Sequence, residues 1–457
     1  MKASKTESSS NIAIVGAGLV GSMLAMYMAK QGHQVDVYER RPDMRNAKII
    51  GGRSINLALS NRGWKALEGI GIGDQIKDIA IPMYGRQIHL QNGEEFFQPY
   101  GKDKQAIYSV SRGELNRILM NAAEPLANVD YHFDLKCTGI NLDEAKIHFL
   151  NKQKEKVTVH SDVVLGTDGA YSAVRESMQK SGRFNYSQEY ISAGYKELCI
   201  PTGKTEKWQI EKNALHIWPR GQFMLIALPN LDGSFTCTLF LDFEGAVSFE
   251  RLNTDDEVIQ FFETYFADAL KLMPDLLVDF KENATSPLVT IRCNPWNYKN
   301  KVCLLGDASH AIVPFYGQGM NSGFEDCTVF NEISLKNIGN WAKIFKKFSA
   351  NRPKDANAIA DLAIYNFIEM RDKTADPQFI ARKKLEKKIE KLHPGKFLPL
   401  YEMVTFSHIP YAEAQATGYR QIAILNELIG VEKNDTDLTS ADAKEKLNEL
   451  FTVSPLG

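Results

Sequence analysis

Hydrophobic and polar positions follow two different rhythms along this chain, and the switches between them divide it. Asn11 to Val15 is a short, largely apolar run. A helical stretch over Gly18 to Gln31, uncharged as far as Ala29, follows, then a second apolar run, Gln34 to Tyr38, ending at Glu39. Apolar strands flanking a helix predict a βαβ unit with a right-handed crossover. Period-two alternation takes over at Gly85 to Leu90 and Glu95 to Gln98, where Asn92-Gly93 predicts a hairpin with a type I′ turn. It returns as a meander of antiparallel strands over Leu215 to Trp218, Phe223 to Leu228 and Phe235 to Leu241. The first rhythm reappears as a helix over Ser111 to Met120 and as strands over Ser161 to Gly169 and Lys301 to Asp307. From about Asn331 onward the pattern is helical. Ile380, Leu385, Ile389 and Leu392 form a narrow apolar stripe in a lysine-rich run, read as a solvated helix face, with membrane or partner contact as the lesser alternative.

The fold class predicted is α/β, in three parts. A discontinuous Rossmann-like nucleotide domain takes residues 11–75, 105–180 and 286–335. An antiparallel β-sheet domain for substrate takes 76–104 and 181–285, and a helical C-terminal region takes 336–457. At 457 residues the chain is long enough for two or three domains. A net charge of -2 gives no reason to expect nucleic acid as partner. The six cysteines are scattered, with no C-x-x-C pair and no Cys/His cluster, which predicts reduced thiols, a cytoplasmic location and no metal. Ile12 to Ala29 holds no charge and follows Lys2 and Lys5, so a signal-peptide core or membrane span is the competing reading. Glycines at nucleotide-binding spacing and the lack of a small-residue cleavage site weigh against it. Met1 to Ser10 is polar and expected to be disordered.

Chemistry enters with four glycine-centred motifs: GAGLVG (Gly16 to Gly21), GTDGAYSAVR (Gly166 to Arg175), LLGDASH (Leu305 to His310) and PFYGQGMNSGFED (Pro314 to Asp326). Between strand and helix, Gly16 permits the tight turn, Gly18 lets backbone approach a pyrophosphate, and Gly21 allows close packing of helix on strand. Glu39 ends the second strand, placed to accept hydrogen bonds from ribose hydroxyls. This alone does not separate FAD from NAD(P). Asp168-Gly169 and Gly306-Asp307, each after an apolar strand, read singly as strand-ending turns. The turn feeding a helix at Gly319, Met320 and Asn321 would aim backbone N–H groups at an electron-rich ring edge. His310 reads as a packing or hydrogen-bonding residue sooner than as a general base.

In this order and spacing the motifs resemble the aromatic-hydroxylase class of FAD monooxygenases, which implies a ribityl contact at Asp307 and a flavin or NADPH role at Asp168. The resemblance also implies cofactor contacts at Val20, Arg41, Ala58 and Arg112. GGRSINLALSNRG (Gly51 to Gly63), YSVSRGELN (Tyr108 to Asn116), FTCTLF (Phe235 to Phe240), YNFIEMRD (Tyr365 to Asp372) and LYEMVTFS (Leu400 to Ser407) narrow it to the kynurenine 3-monooxygenase family, over roughly Asn11 to Tyr411. That resemblance implies hydroxylation of L-kynurenine with NADPH and O₂ through a C4a-hydroperoxyflavin, with FAD bound and NADPH a transient co-substrate. It places substrate contacts on Arg86, Tyr100, Asn366, Glu369 and Tyr401. Met224, Leu228, Phe240, Pro314 and Phe315 become apolar walls, and Tyr316 only lines the pocket. No side chain is expected to act as nucleophile or metal ligand. A guanidinium suits the substrate carboxylate and a phenol adds a donor, whereas read alone Arg86 would be a solvated strand residue and Asn366 a helix cross-link.

Eukaryotic relatives end in a hydrophobic anchoring segment; the polar tail ADAKEKLNELFTVSPLG implies a bacterial-type enzyme without one. Monomer and dimer both remain open. The alternatives are a monooxygenase of the same class acting on another aromatic amine or phenol, and a non-catalytic flavin-binding protein. A flavin halogenase is disfavoured because no W-x-W-x-I-P segment is present.

Overall fold

The computed structural model describes residues 9–46, 56–101, 105–369, 377–431 and 438–454. The first three segments form the expected βαβ unit: β1 (Asn11–Val15), α1 (Leu19–Lys30) and β2 (Gln34–Tyr38). They belong to a six-stranded sheet in the order Asn297–Tyr298, Val302–Leu304, Val163–Gly166, β1, β2, Val129–His132. All neighbours are parallel except the first pair. Ile12, Ala13, Ile14, Val164 and Leu165 are fully buried, as strands covered on both faces must be. Helix α1 is buried from Gly21 to Ala29. The uncharged run is therefore the inside of this layered core. Among the described residues no helix is long and apolar enough to cross a membrane.

The second sheet has seven strands, ordered Ser286–Asn294, Asn185–Ile200, Phe235–Asp242, Phe223–Pro229, Ala214–Arg220, Gly85–His89, Glu95–Pro99. Three expectations need correction here. The sheet is mixed, because Ala214–Ile217 pairs in parallel with Gly85–Ile88; the chain reaches that edge through a long excursion, which frees it from hairpin geometry. Ser286–Asn294 pairs with Asn185–Ile200, so the return to the nucleotide domain falls after Asn294 and not at residue 286. The hairpin turn is not type I′. Only Gly93 has a positive φ (88°), and Gly93 N–H donates to the Leu90 carbonyl at 3.0 Å, while the Asn92 side chain accepts from Glu94 N–H at 3.0 Å. A type I turn followed by a left-handed glycine fits these bonds.

A small sheet of Asn56–Leu59, Ile107–Ser111 and Ile81–Met83 joins the two large ones, and a three-stranded excursion, Lys136–Asn141, Lys146–Leu150 and Lys156–His160, was not foreseen. In the C-terminal region the helix Trp341–Ile368 packs on Tyr411–Val431. Leu385 and Ile389 are buried in a satellite core with Leu425, Leu428, Leu447 and Leu450, while Leu392 is exposed. Leu385 and Ile389 of the lysine-run stripe thus form an interior seam of the helical region rather than a solvated face. The side chain of Ile380 lies outside the described residues.

Candidate active site

At the end of β1 two glycines are demanded by the protein itself. Gly16 has φ +104°, and a Cβ there would lie 2.6 Å from the Thr167 carbonyl oxygen. At Gly21 a Cβ would lie 1.9 Å from the Gly16 carbonyl oxygen and 2.7 Å from Thr167 Oγ1. Gly18 differs: a Cβ there meets nothing within 4 Å. It is the N-cap of α1, in extended conformation, and no side chain caps the helix. The free first-turn N–H groups therefore face open space, a cradle suited to a pyrophosphate. Buried Glu39 follows β2 and accepts from the N–H of Ala17 and of Arg41, both at 3.0 Å, and from Arg41 Nε at 2.9 Å. A carboxylate has about four acceptor sites, so capacity remains for ribose hydroxyls.

The second group of cofactor residues converges from three elements. Gly306 (φ +61°) leads into the one-turn helix Asp307–His310. Asp307 is open to the cleft yet lies deep among protein atoms; that desolvation raises its carboxyl, while the Arg112 charge pulls it down. Arg112 opens the helix Arg112–Ala123, and Asn116, one turn on, donates to the Ala17 carbonyl at 3.0 Å. Val20 lies against the Gly306 loop and the helix Gly319–Leu335, since a Cβ would approach it to 3.0 Å from Gly306 and 2.7 Å from Gly323. The helix Gly319–Leu335 begins without a side-chain cap, leaving the N–H groups of its first turn available. Asn321 points inward, accepting from Ser60 N–H at 2.9 Å and donating to the carbonyls of Ala58 (2.8 Å) and Gly317 (2.9 Å). Its amide shapes the turn, and only its backbone remains free to face a cofactor.

Asp168 accepts from Ser172 Oγ (2.5 Å), Ala173 N–H (2.7 Å) and Val174 N–H (3.2 Å), so its carboxylate is spent on the start of the helix Ala173–Gln179. Arg175 locks the two loops together, donating to the carbonyls of Ala170 (2.6 Å) and Ala308 (2.8 Å). His310 is structural, as expected: Nε2 lies 2.6 Å from Asp326 Oδ2 and the ring stacks on Trp296 at 5.0 Å. Asp326 also accepts from Gly306 N–H at 2.8 Å and Arg352 Nε at 2.7 Å. Burial pushes its carboxyl up, but the charges of His310 and Arg352 prevail and hold it below the usual range. Arg175, Asn116 and Asp326 stand inside the quoted motifs, yet nothing in their spacing marked them as ties between loops.

Across the cleft, Arg86 extends from the second sheet into a stack of tyrosines. Its guanidinium carbon lies 5.0 Å from the Tyr401 ring centre and 5.5 Å from that of Tyr100. Tyr401 stacks on Tyr100 (5.4 Å) and on Tyr316 (5.7 Å), and Phe406 packs edge-on against both Tyr100 and Tyr401. Burial opposes the Arg86 charge, yet the tyrosines Tyr401 and Tyr100 hold the guanidinium above its ordinary value; burial raises the Tyr100 and Tyr316 hydroxyls well above theirs. Among the described residues, Arg86 Nε and the Tyr100 hydroxyl are buried and make no hydrogen bond of ordinary geometry, facing each other and Tyr401. Leu228 and Ile226 pack beside Tyr100. Ile226 and Tyr316 also border a second apolar group, Met224, Phe240, Phe315 and Phe367. Pro314 is exposed at the start of the turn Pro314–Tyr316.

Two residues expected at the substrate also have partners within the protein. Asn366 Nδ2 donates to the Phe315 carbonyl at 2.7 Å, and Glu369 pairs with Arg382 at 2.8 Å. Both hold the pocket's frame. Tyr316 joins the tyrosine stack through Tyr401, and Phe406 and Phe367, which pack beside these residues, were missed although each lies in a quoted motif.

This architecture defines an FAD-binding protein of the aromatic-hydroxylase fold, and residues 9–342 match the FAD binding domain family. Among solved structures it is similar to p-nitrophenol 4-monooxygenase PnpA from Pseudomonas putida (TM-score 0.65, 18% identity, 96% of this chain and 98% of that one). PqsL of P. aeruginosa, solved with 2-aminobenzoylacetate, aligns with TM-score 0.65 and 17% identity over 80% of this chain and 97% of that one. The chain belongs to the kynurenine 3-monooxygenase family. It is 49% identical to the protein of that name from Flavobacterium johnsoniae, over 97% of this chain and 99% of the relative. With the Dictyostelium discoideum protein it shares 47% identity, over 96% and 98% respectively. The pig protein is 45% identical, over 91% of this chain and 88% of its own.

Proposed function

We propose that the protein hydroxylates L-kynurenine at ring carbon 3, consuming NADPH and O₂ and giving 3-hydroxykynurenine. The observation that carries this reading is the pair of buried donors, Arg86 Nε and the Tyr100 hydroxyl, that make no hydrogen bond of ordinary geometry at one end of an otherwise apolar pocket. Buried polar groups without partners are uncommon and costly, and a substrate carboxylate satisfies both. Arg86 grips that carboxylate, Tyr100 adds a donor, and the rings of Tyr100 and Tyr401, with Tyr316 stacked behind Tyr401, hold the guanidinium in place. Met224, Phe240 and Phe315 give the aromatic ring a dry wall. Glu369, tied to Arg382, positions the end of the helix Trp341–Ile368 beside Tyr316 and presents negative charge toward the α-ammonium side.

Bound FAD supplies the redox chemistry, taking electrons from NADPH and delivering one oxygen atom of O₂ to the ring. The glycine turn, Glu39, Arg41, Arg112 and Asp307 would hold it, and the uncapped helix at Gly319 and Met320 would offer its first-turn N–H groups to negative charge there. The protein's own work is positioning and exclusion of water. The free thiols suit the reducing cytoplasm. Incubation with kynurenine, NADPH and air, with the product identified by mass, tests the proposal. A kynurenine product heavier by one oxygen is expected; NADPH oxidation unaffected by kynurenine, with no such product, would overturn it.

A further inference from the structure

Successive strand residues face opposite ways, so Gln87 and His89 lie on the side of the sheet away from Arg86. His89 is 3% exposed and stacks on Trp218 at 4.1 Å. Its protonation follows from a chain of contacts. His216 Nε2 lies 2.7 Å from the Glu211 carbonyl oxygen. A carbonyl only accepts, so that nitrogen carries the proton. Burial pushes His216 down to about 4, so the ring is neutral and its Nδ1 can only accept. His89 Nε2, 2.8 Å from that Nδ1, must be the donor.

His89 Nδ1 is then left with a lone pair. It is buried, has no hydrogen-bond partner among the described residues, and lies 3.1 Å from Glu95 Oε1 and 3.8 Å from Asp268 Oδ2. An imidazole nitrogen set against two carboxylate oxygens calls for positive charge between them, a proton or a metal ion. Arg220 donates to the His89 carbonyl at 2.9 Å and offsets part of the negative charge without satisfying Nδ1.

We propose that His89 Nδ1, Glu95 and Asp268 bind a divalent transition-metal cation of the Zn²⁺ type, with water completing the coordination. One imidazole and two carboxylates suit that ion. Tetrahedral bonds of about 2.0–2.1 Å place donor atoms roughly 3.3–3.4 Å apart, and these three lie within 4.8 Å of one another. The supporting contacts are also in place. Gln87 Nε2 holds Glu95 Oε2 at 3.2 Å, Trp218 Nε1 holds Asp268 Oδ2 at 2.6 Å, and His89 donates its other N–H to His216. A cleft of about 740 Å³ beside His89 and Glu95 gives the ion access. The bound ion clamps the edge hairpin, which carries Arg86, to the helix Ala267–Leu270.

The test strips the FAD-loaded enzyme with a chelator, titrates it with Zn²⁺ alone, and measures bound metal by competition with a chromophoric chelator. One equivalent is expected for the wild type. In E95Q and D268N, both altered at partly exposed positions that leave the fold intact, affinity should fall at least tenfold. No uptake by the wild type, or equal uptake by all three proteins, would overturn the site. Neither result bears on hydroxylation, so the two proposals fail separately.

Discussion

Gly18 and Gly21 stand three positions apart and fail differently when a methyl group is added. At Gly21 it would strike backbone at 1.9 Å, whereas at Gly18 it meets only open space. Gly21→Ala should therefore destabilise the apoprotein by about 1–3 kcal/mol through overpacking. Gly18→Ala should leave apoprotein melting unchanged and weaken FAD binding, read by flavin fluorescence. An unchanged FAD affinity would remove Gly18 from the pyrophosphate site. Arg86→Ala should keep FAD and lose about 2–5 kcal/mol of kynurenine binding, and Arg86→Lys should restore only part, because an ammonium cannot reproduce the planar fork. Kynurenine titrations of the yellow variants decide this. The glycines were legible from spacing alone. Arg86 was not: a single arginine on an alternating strand looks solvated, and only the family resemblance singled it out before the tyrosine stack gave the physical reason.

Elements carry a second set of consequences, centred on the helix Gly319–Leu335. Its Asp326 holds Gly306 N–H, His310 and Arg352 at once, so one buried carboxylate fixes the cofactor loop against two helices. Removing one partner of a buried ion pair leaves the other uncompensated and costs about 3–5 kcal/mol, and Asp326→Asn should lose that much in urea unfolding at pH 7. The sign with pH follows from the depressed carboxyl. Its contribution is complete above the ordinary carboxylate range and is lost as pH falls through the lower folded value. The gap between wild type and variant should therefore narrow below about pH 4; a gap constant down to pH 2 would show that the charge is not what stabilises. At this scale the βαβ unit and the meander were legible, because continuous and alternating apolar runs differ in period. The hairpin turn type was not, since Asn92-Gly93 accommodates both turns and the bond from Glu94 N–H to the Asn92 side chain decides. Nor was the boundary near residue 286 visible, because Ser286–Asn294 reads the same whichever sheet it joins.

The whole molecule assembles its pocket from three parts that share no local sequence signal: Arg86 and Tyr100 from the mixed sheet, Phe315 and Tyr316 from the cofactor loop, and Tyr401 and Phe406 from the helical region. Buried Arg62 joins them from below. It pairs with Glu325, lies 3.9 Å from the Tyr411 ring centre, and donates to the Ile409 carbonyl. Tyr411 in turn donates to Gln318, the residue that opens the helix at Gly319, at 2.9 Å. A ligand that binds only the assembled state stabilises every part it touches, so the two ligands should leave different footprints in hydrogen exchange. FAD should protect residues 16–22 and 306–322 most. Kynurenine added to the FAD-loaded enzyme should leave those segments as they are and slow exchange at 400–406 and in the Arg382-bearing helix, held to the pocket by Glu369. The Arg382→Ala variant separates latch from fold. It should lose kynurenine-dependent protection in that helix and bind kynurenine several-fold more weakly, with FAD protection intact. If kynurenine protects only the sheet strands and leaves 400–406 exchanging as before, the helical region is a support for the cofactor domain and not the wall of the substrate chamber.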